Sequence, residues 1–235
     1  MGSKALILAA GVGRRLAALG PKPVVRILDL PLIAYPLRSL FMIGVIEAVI
    51  VVNSENKPLI EEALREIENI PEVDYIVNPR PELGNGYSFL LGSQSMSGDF
   101  LLSMSDHIYP PTMAERISSS EAPSLGIDSD PSFIEISEAT KVRVSGQRVL
   151  EVSKSLEAWD GVDVGLHHLI PVEMEIPGGP VELSDLLTAF ARGSHLSYVD
   201  VRGCPWTEID TLEDVESLLS GTRRRVLERV REEWQ

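Results

Sequence analysis

Residues Lys4-Ala5-Leu6-Ile7-Leu8-Ala9-Ala10 form an apolar, strand-like run that empties directly into Gly11-Val12-Gly13-Arg14-Arg15-Leu16, with Pro21-Lys22-Pro23 soon after. No other feature restricts the fold as much. An apolar strand that ends in glycines and cations reads as the first strand of an open α/β sheet, where ligands bind beyond the carboxyl ends of the strands. Glycine lets backbone N–H groups approach an anion closely. Guanidinium and ammonium groups balance the charge of a triphosphate. The turn therefore predicts a phosphate site.

Two common phosphate loops are excluded by spacing. A dinucleotide fingerprint needs a third glycine three residues after Gly13, but that position is Leu16, and the next candidate strand ends in Asn53 instead of an acid for a ribose. A P-loop needs its lysine next to Ser or Thr directly after the glycines, whereas Lys22 lies between two prolines.

The 235 residues contain no Gly/Ser linker or low-complexity tract, so a single large α/β domain over 1–220 is expected. A net charge of −14 opposes nucleic-acid phosphate, and Arg14, Arg15 and Lys22 make too small a basic cluster for a duplex footprint. The lone Cys204 excludes an internal disulfide framework and suits a reducing cytoplasm. The N-terminus lacks a signal-peptide series, and the most apolar region, 40–52, is broken by Gly44 and Glu47, so no membrane span is expected.

Along the chain, helical spacing predicts helices over 31–43 and 56–70, and apolar runs predict strands over 48–52 and 73–77. This β-α-β-α-β order implies parallel strands. The loop 79–88 enters a helix predicted over 89–96. Gly84, Asn85, Gly86 and Ser88 there suit the edge of a nucleobase, or equally an Asn-Gly turn capping the helix. The strand from Asp99 ends at Ser105-Asp106-His107, and a carboxylate at that place offers hard oxygen for Mg²⁺, with His107 as its hydrogen-bonding neighbour. Short strands are predicted over 124–127, 133–136, 141–144, 149–152 and 162–170, the middle ones as hairpins joined at Ser145-Gly146-Gln147. They compose a small antiparallel lid over about 121–170, where acceptor specificity should reside. Lys154 can serve a second phosphate or be a solvated loop lysine, and His167 and His168 point to opposite faces of their strand. A helix over 181–192 and a strand over 195–201 follow. Thr211 and Asp214 have capping-box spacing, which starts a helix at Leu212 and leaves Asp210 just before it, as a ligand or as an acid stabilising the helix N-terminus. Residues 221–235 form a charged amphipathic helix with Val226, Leu227, Val230 and Trp234 on one side.

Together these motifs resemble the nucleotidyltransferase superfamily. Its members read Ala-Ala-Gly-x-Gly-x-Arg-Leu and Pro-Lys-Pro near the start, a strand-end aspartate, and Trp-x-x-Ile-Asp-Thr-Pro-Glu-Asp near the end. Here Leu212 stands in place of that proline. The resemblance implies a Rossmann-like α/β fold, a mixed, mostly parallel sheet flanked by helices, of the nucleotide-diphospho-sugar transferase (GT-A-like) type. It implies that Leu8, Ala9, Ala10, Gly11, Gly13, Arg14, Arg15 and Lys22 take the nucleotide phosphates, with Arg15 and Lys22 catalytic. It assigns Gly84, Asn85, Gly86, Ser88 and Ser105 to the rest of the nucleotide, Asp106 and Asp210 to Mg²⁺, and Lys154, Asp163 and Gly165 to the acceptor. Ser105-Asp106-His107-Ile108-Tyr109 and Val162-Asp163-Val164-Gly165-Leu166 are similar to the CTP:inositol-1-phosphate cytidylyltransferase branch. That branch implies CTP and L-myo-inositol-1-phosphate as substrates, CDP-inositol and pyrophosphate as products, and osmolyte synthesis in a heat-loving organism. It also implies a soluble, cytoplasmic part fused to a membrane-bound di-myo-inositol phosphate synthase, with 221–235 as a stalk. A sugar-1-phosphate or phosphocholine nucleotidyltransferase fits the same frame. A non-catalytic nucleotide-binding subunit is the alternative of another class, opposed by the presence of both Asp106 and Asp210.

Overall fold

A computed structural model of the chain describes residues 4–11, 13–174 and 178–235, and all their side chains except those of residues 14, 17 and 18. In order along the chain come β1 (Lys4–Leu8), α1 (Ala34–Met42), β2 (Glu47–Asn53), α2 (Lys57–Leu64), β3 (Glu72–Asn78), α3 (Asn85–Ser93), β4 (Phe100–Met104) and α4 (Pro111–Ser118). They are followed by β5 (Ser124–Asp128), β6 (Lys141–Ser145), β7 (Arg148–Ser153), β8 (Gly161–Leu169), α5 (Leu183–Gly193), β9 (Ser197–Asp200), α6 (Leu212–Ser220) and α7 (Arg224–Glu233).

The apolar runs sit where their burial requires. The nine strands named above form one sheet in the order β7-β6-β8-β4-β1-β2-β3, with β5 on β8 and β9 on β5. β1 lies between β2 and β4, parallel to both. Because strand side chains alternate, Ala5 and Ile7 join the core under α1, α2, α4 and α7, and Leu6 and Leu8 join the core under α3 and α5. Strand order reverses direction at β1, so a crevice opens beyond the carboxyl ends of β1 and β4. The glycine turn empties into that crevice.

β8 is antiparallel to β4, β5 and β6 and carries an irregularity between Asp163 and His167. The hairpin β6–β7 forms one edge of this sheet, with β7 outermost and bonded through Val152 to Thr188 of α5. The strand expected over 133–136 does not form: the Phe133 carbonyl accepts from the Thr207 hydroxyl (2.6 Å), and a tight turn follows in which Ala139 N–H donates to Glu135 O (3.2 Å). Phe133 and Ile134 instead pack on the core from a loop, and Ile136 is exposed. α2 is also shorter than its pattern, because Ile67 and Ile70 reach the core from a turn that Asn69 reverses at φ 58°. α3 starts earlier than predicted, at Asn85, so Gly86 and Ser88 lie in its first turn.

α7 packs on the domain through buried Val226, Leu227 and Val230. Trp234 just beyond it lies against Tyr35 with ring centroids 5.5 Å apart and donates from Nε1 to Ser39 Oγ (3.2 Å). Among the described residues no helix is long and apolar enough to cross a membrane.

Candidate active site

The site begins where β1 stops. Ser105 N–H donates to Leu8 O (3.2 Å), tying the ends of β1 and β4 together. Gly13 adopts φ 51°, and a Cβ there would lie 2.8 Å from the Lys22 Cβ. Only glycine lets the turn fold back so closely on the segment that carries Lys22. Pro23 is buried and its carbonyl accepts from Ile33 N–H (3.0 Å), which fixes the root of the lysine.

A small β clip brings the distant aspartates to that lysine. His107–Ile108 and Thr207–Glu208 pair antiparallel, with His107 opposite Glu208, and Ile209 N–H donates to Asp106 O (3.0 Å). An antiparallel pair puts the residue before one strand beside the residues after the other, so Asp106 and Asp210 face each other. Lys22 Nζ donates to Asp106 Oδ2 and to Asp210 Oδ1, the latter at 2.5 Å. Arg15 Nη2 reaches Asp210 Oδ2 at 3.0 Å. The backbone of Asp210 is held in turn: Asp214 Oδ2 accepts from the N–H groups of Asp210 (2.9 Å) and Thr211 (2.8 Å), completing the capping box of α6. Arg223 Nη1 pins Asp214 Oδ1 at 2.7 Å.

His107 is wedged into this array. Its Nδ1 hydrogen-bonds Asp106 Oδ1 (2.7 Å), its ring stacks on Trp206 at 5.8 Å and 6°, and Trp206 Nε1 donates to Asp128 Oδ2 (2.8 Å). Burial by itself would raise the Asp106 carboxyl, but the Lys22 ammonium and the His107 hydrogen bond outweigh it and hold that carboxyl far below the usual carboxylate range. Burial would likewise lower Lys22, yet Asp106 and Asp210 together raise it, so the ammonium stays charged. Glu208 is shifted the other way, upward, chiefly by burial and then by its carboxylate neighbours.

Two cavities open on either side of the aspartates. The first, about 380 Å³, is lined by Leu8, Ala9, Ala10, Gly11, Gly13, Lys22, Gly84, Ser88 and Ser105. The second, about 590 Å³, is lined by Lys154, Asp163 and Gly165, together with His107, Trp206 and Glu208. Arg15, Asn85, Met104, Asp106 and Asp210 border both. Gly86 borders neither: its N–H donates to Val181 O (3.0 Å), and its place in the sequence reflects close packing of α3 on the chain before α5. Asn85 Oδ1 accepts from Leu183 N–H (2.7 Å), so this asparagine also joins α3 to the start of α5. The Arg14 side chain lies outside the described residues. Glu182, Trp206 and Glu208 line the second cavity without having been picked as site residues. Only Trp206 and Glu208 carried a local signal, their place just ahead of Asp210.

A sequence model described as nucleotidyl transferase matches residues 4–126. The chain is 33% identical over 220 residues to the "Bifunctional IPC transferase and DIPP synthase" of Thermococcus kodakarensis, covering 91% of this chain and 49% of that one. It is 34% identical over 217 residues to the protein of the same name from Aquifex aeolicus, covering 90% and 50%. The chain thus spans about half the length of the curated relatives it matches. Among solved structures, the inositol-1-phosphate CTP transferase from T. maritima superposes with a TM-score of 0.87 at 27% identity, covering 98% of this chain and 97% of that one. A UDP-glucose pyrophosphorylase complexed with UDP-glucose shares the fold, with a TM-score of 0.74 at 18% identity over 92% of this chain and 96% of that one.

Proposed function

The chain belongs to the nucleotidyl transferase family, and on that premise we propose that it transfers the cytidylyl group of CTP to the phosphate of L-myo-inositol-1-phosphate. The products are CDP-inositol and pyrophosphate. The observation that carries this reading is the meeting of two cavities at Asp106, Asp210 and Arg15, one lined by the glycine turn and the other by Lys154. The inositol-1-phosphate CTP transferase of T. maritima, similar over nearly the whole chain, supports the choice of substrates.

In the proposed reaction an oxygen of the acceptor phosphate attacks the α-phosphorus of CTP, a P–O bond forms, and the bond to the β-phosphate oxygen breaks with its electron pair leaving on pyrophosphate. A phosphate monoester is largely a dianion near pH 7, with a second pKa of about 6, so no protein base is needed. Arg15 and Lys22 are placed to balance charge on the triphosphate and the departing pyrophosphate. Lys154 orients the acceptor phosphate in the second cavity, which makes the region around 121–170 the acceptor side of the domain.

Asp106 and Asp210 would hold Mg²⁺. The donor set fits: two hard carboxylates converge on one cationic group, and Mg²⁺ is typically held by one or two carboxylates with water and substrate phosphate completing its shell. Among the described residues no cluster of three or more His, Cys, Asp or Glu suits a metal held by protein alone. Bound there, Mg²⁺ would supply Lewis-acid stabilisation of phosphate charge. We further propose that this chain acts as the cytoplasmic half of a fusion to a membrane synthase, a reading that the relatives' greater length supports, with residues 221–235 leading toward it.

Pyrophosphate release across a panel of nucleoside triphosphates and acceptors tests the reading. Turnover is expected with CTP and inositol-1-phosphate, at least about tenfold above glucose-1-phosphate or phosphocholine, which is about 1.4 kcal/mol of discrimination. Turnover with glucose-1-phosphate alone would overturn the inositol assignment, and none with any pair would leave a nucleotide-binding subunit. In the same assay Lys154→Ala should raise the KM for the acceptor about tenfold, the worth of one charge-assisted hydrogen bond, while the KM for CTP stays put. A matching rise in both would place Lys154 outside the acceptor cavity.

A further inference from the structure

β2 ends in Asn53, where a dinucleotide-binding chain would carry an acid, and α2 begins after Asn56. Both side chains are buried, at 5% and 2% exposure. Asn53 Nδ2 donates to Ala10 O (2.9 Å) and Asn56 Nδ2 donates to Ala9 O (2.7 Å). Their carboxamide oxygens are occupied locally: Asn53 Oδ1 accepts from Glu55 N–H (3.0 Å) and Asn56 N–H (2.8 Å), and Asn56 Oδ1 accepts from Asn53 N–H (2.9 Å). The two carboxamide nitrogens thus hold two successive carbonyls of the glycine turn from behind, while the two oxygens fix the carboxamides in place.

The consequence follows from peptide geometry. In a trans peptide the carbonyl of one residue and the N–H of the next point in opposite directions. With the Ala9 and Ala10 carbonyls drawn toward the asparagines, the N–H groups of Ala10 and Gly11 point away from them. Neither N–H donates to an acceptor among the described residues, and both residues line the first cavity. Ala10 is buried, where a backbone donor is rarely left without a partner, Gly11 is exposed, and successive free N–H groups form an anion-binding concavity.

We propose that Asn53 and Asn56 are positioning residues that aim the Ala10 and Gly11 N–H groups at phosphate oxygens of the bound nucleotide. This rests on the reading of the first cavity as a nucleoside triphosphate site. It goes beyond that reading by assigning the orientation of the turn to two side chains that touch no substrate.

The test uses Asn53→Asp, which keeps the oxygen that closes the local turn but sets a carboxylate against the Ala10 carbonyl. A neutral partner, Asn56→Ser, keeps a small polar side chain but is too short to reach Ala9 O, separating lost orientation from added charge. Calorimetric titration with CTP and with inorganic tripolyphosphate, both with Mg²⁺ and no acceptor, should show Kd raised at least about tenfold in each variant. In turnover the KM for inositol-1-phosphate should be unchanged, which a general loosening of the fold would not spare. In the unsubstituted protein, the amide proton resonances of Ala10 and Gly11 should shift on saturation with tripolyphosphate, a measurement that needs no variant to fold. Variants that bind within twofold of the parent, or amide resonances that stay still at saturation, would overturn the inference. A parent that binds neither CTP nor tripolyphosphate would overturn both this and the proposed function. A parent that binds tripolyphosphate with shifted amides but turns over a different nucleotide would correct only the function.

Discussion

Lys22→Ala is expected to lose at least about 10³-fold in kcat/KM, because in the proposed reaction it removes a preorganised cation that balances phosphate charge, and single donors in such sites are worth about 10² to 10³. The same substitution has a second, separable effect. Lys22 is the cation shared by Asp106 and Asp210, and the three side chains are only 12%, 19% and 23% exposed. Removing the central member of a largely buried ion cluster leaves the two carboxylates facing each other, with only His107 beside Asp106 and the more exposed Arg15 beside Asp210, at a cost of about 3 kcal/mol. The variant should therefore melt well below the parent in EDTA and recover part of the difference with Mg²⁺, which the two freed carboxylates fit. Pyrophosphate release and thermal melts with and without Mg²⁺ read both effects. A variant that keeps more than a tenth of the parental turnover would remove Lys22 from the reaction.

Gly165→Ala is the second large effect. Gly165 adopts φ 63°, and a Cβ there would lie 2.5 Å from His107 Nε2. The left-handed backbone alone costs an alanine about 1–2 kcal/mol. The ring cannot retreat, since Trp206 stacks on it and Asp106 Oδ1 is bonded to Nδ1 at 2.7 Å. Overpacking adds about 1–3 kcal/mol. A total of about 3 kcal/mol corresponds to a fall in Tm of about 6–12 °C for a domain of this size. Because the ring that must shift also holds Asp106, kcat should fall about tenfold as well. An alanine variant with the parental Tm and kcat would show that the close contact between β8 and His107 is unimportant.

Gly165 also shows what was and was not legible. The resemblance assigned it to the acceptor, and it does border the second cavity. Its need to be glycine, however, comes from His107, a residue on a different strand. Local patterns served best where a local interaction decides. The Thr211–Asp214 spacing predicts a capping box, and that box forms with α6 starting at Leu212. The apolar run through Leu8 predicts a buried strand, and β1 is buried on both faces. Patterns misled where packing could satisfy them in more than one way: residues 133–136 alternate like a strand yet lie in a loop, because Phe133 O is taken by Thr207. Asn53 stood out only as a missing acid, and its hydrogen bonds to the glycine turn depend on β2 lying beside β1.

The order and burial of the parallel core, the glycine turn and the kinds of charged groups available for phosphate chemistry were written in the chain, because each depends on neighbours within a few residues. Which of those groups meet was decided by tertiary structure alone. The pairing of His107 with Glu208 carries Asp106 and Asp210 to a common lysine, the bend in β8 backs His107 with Gly165, and Asn53 and Asn56 bond the Ala10 and Ala9 carbonyls of the turn. These contacts join residues far apart in sequence, and a spacing rule cannot reach across a sheet whose register has yet to form.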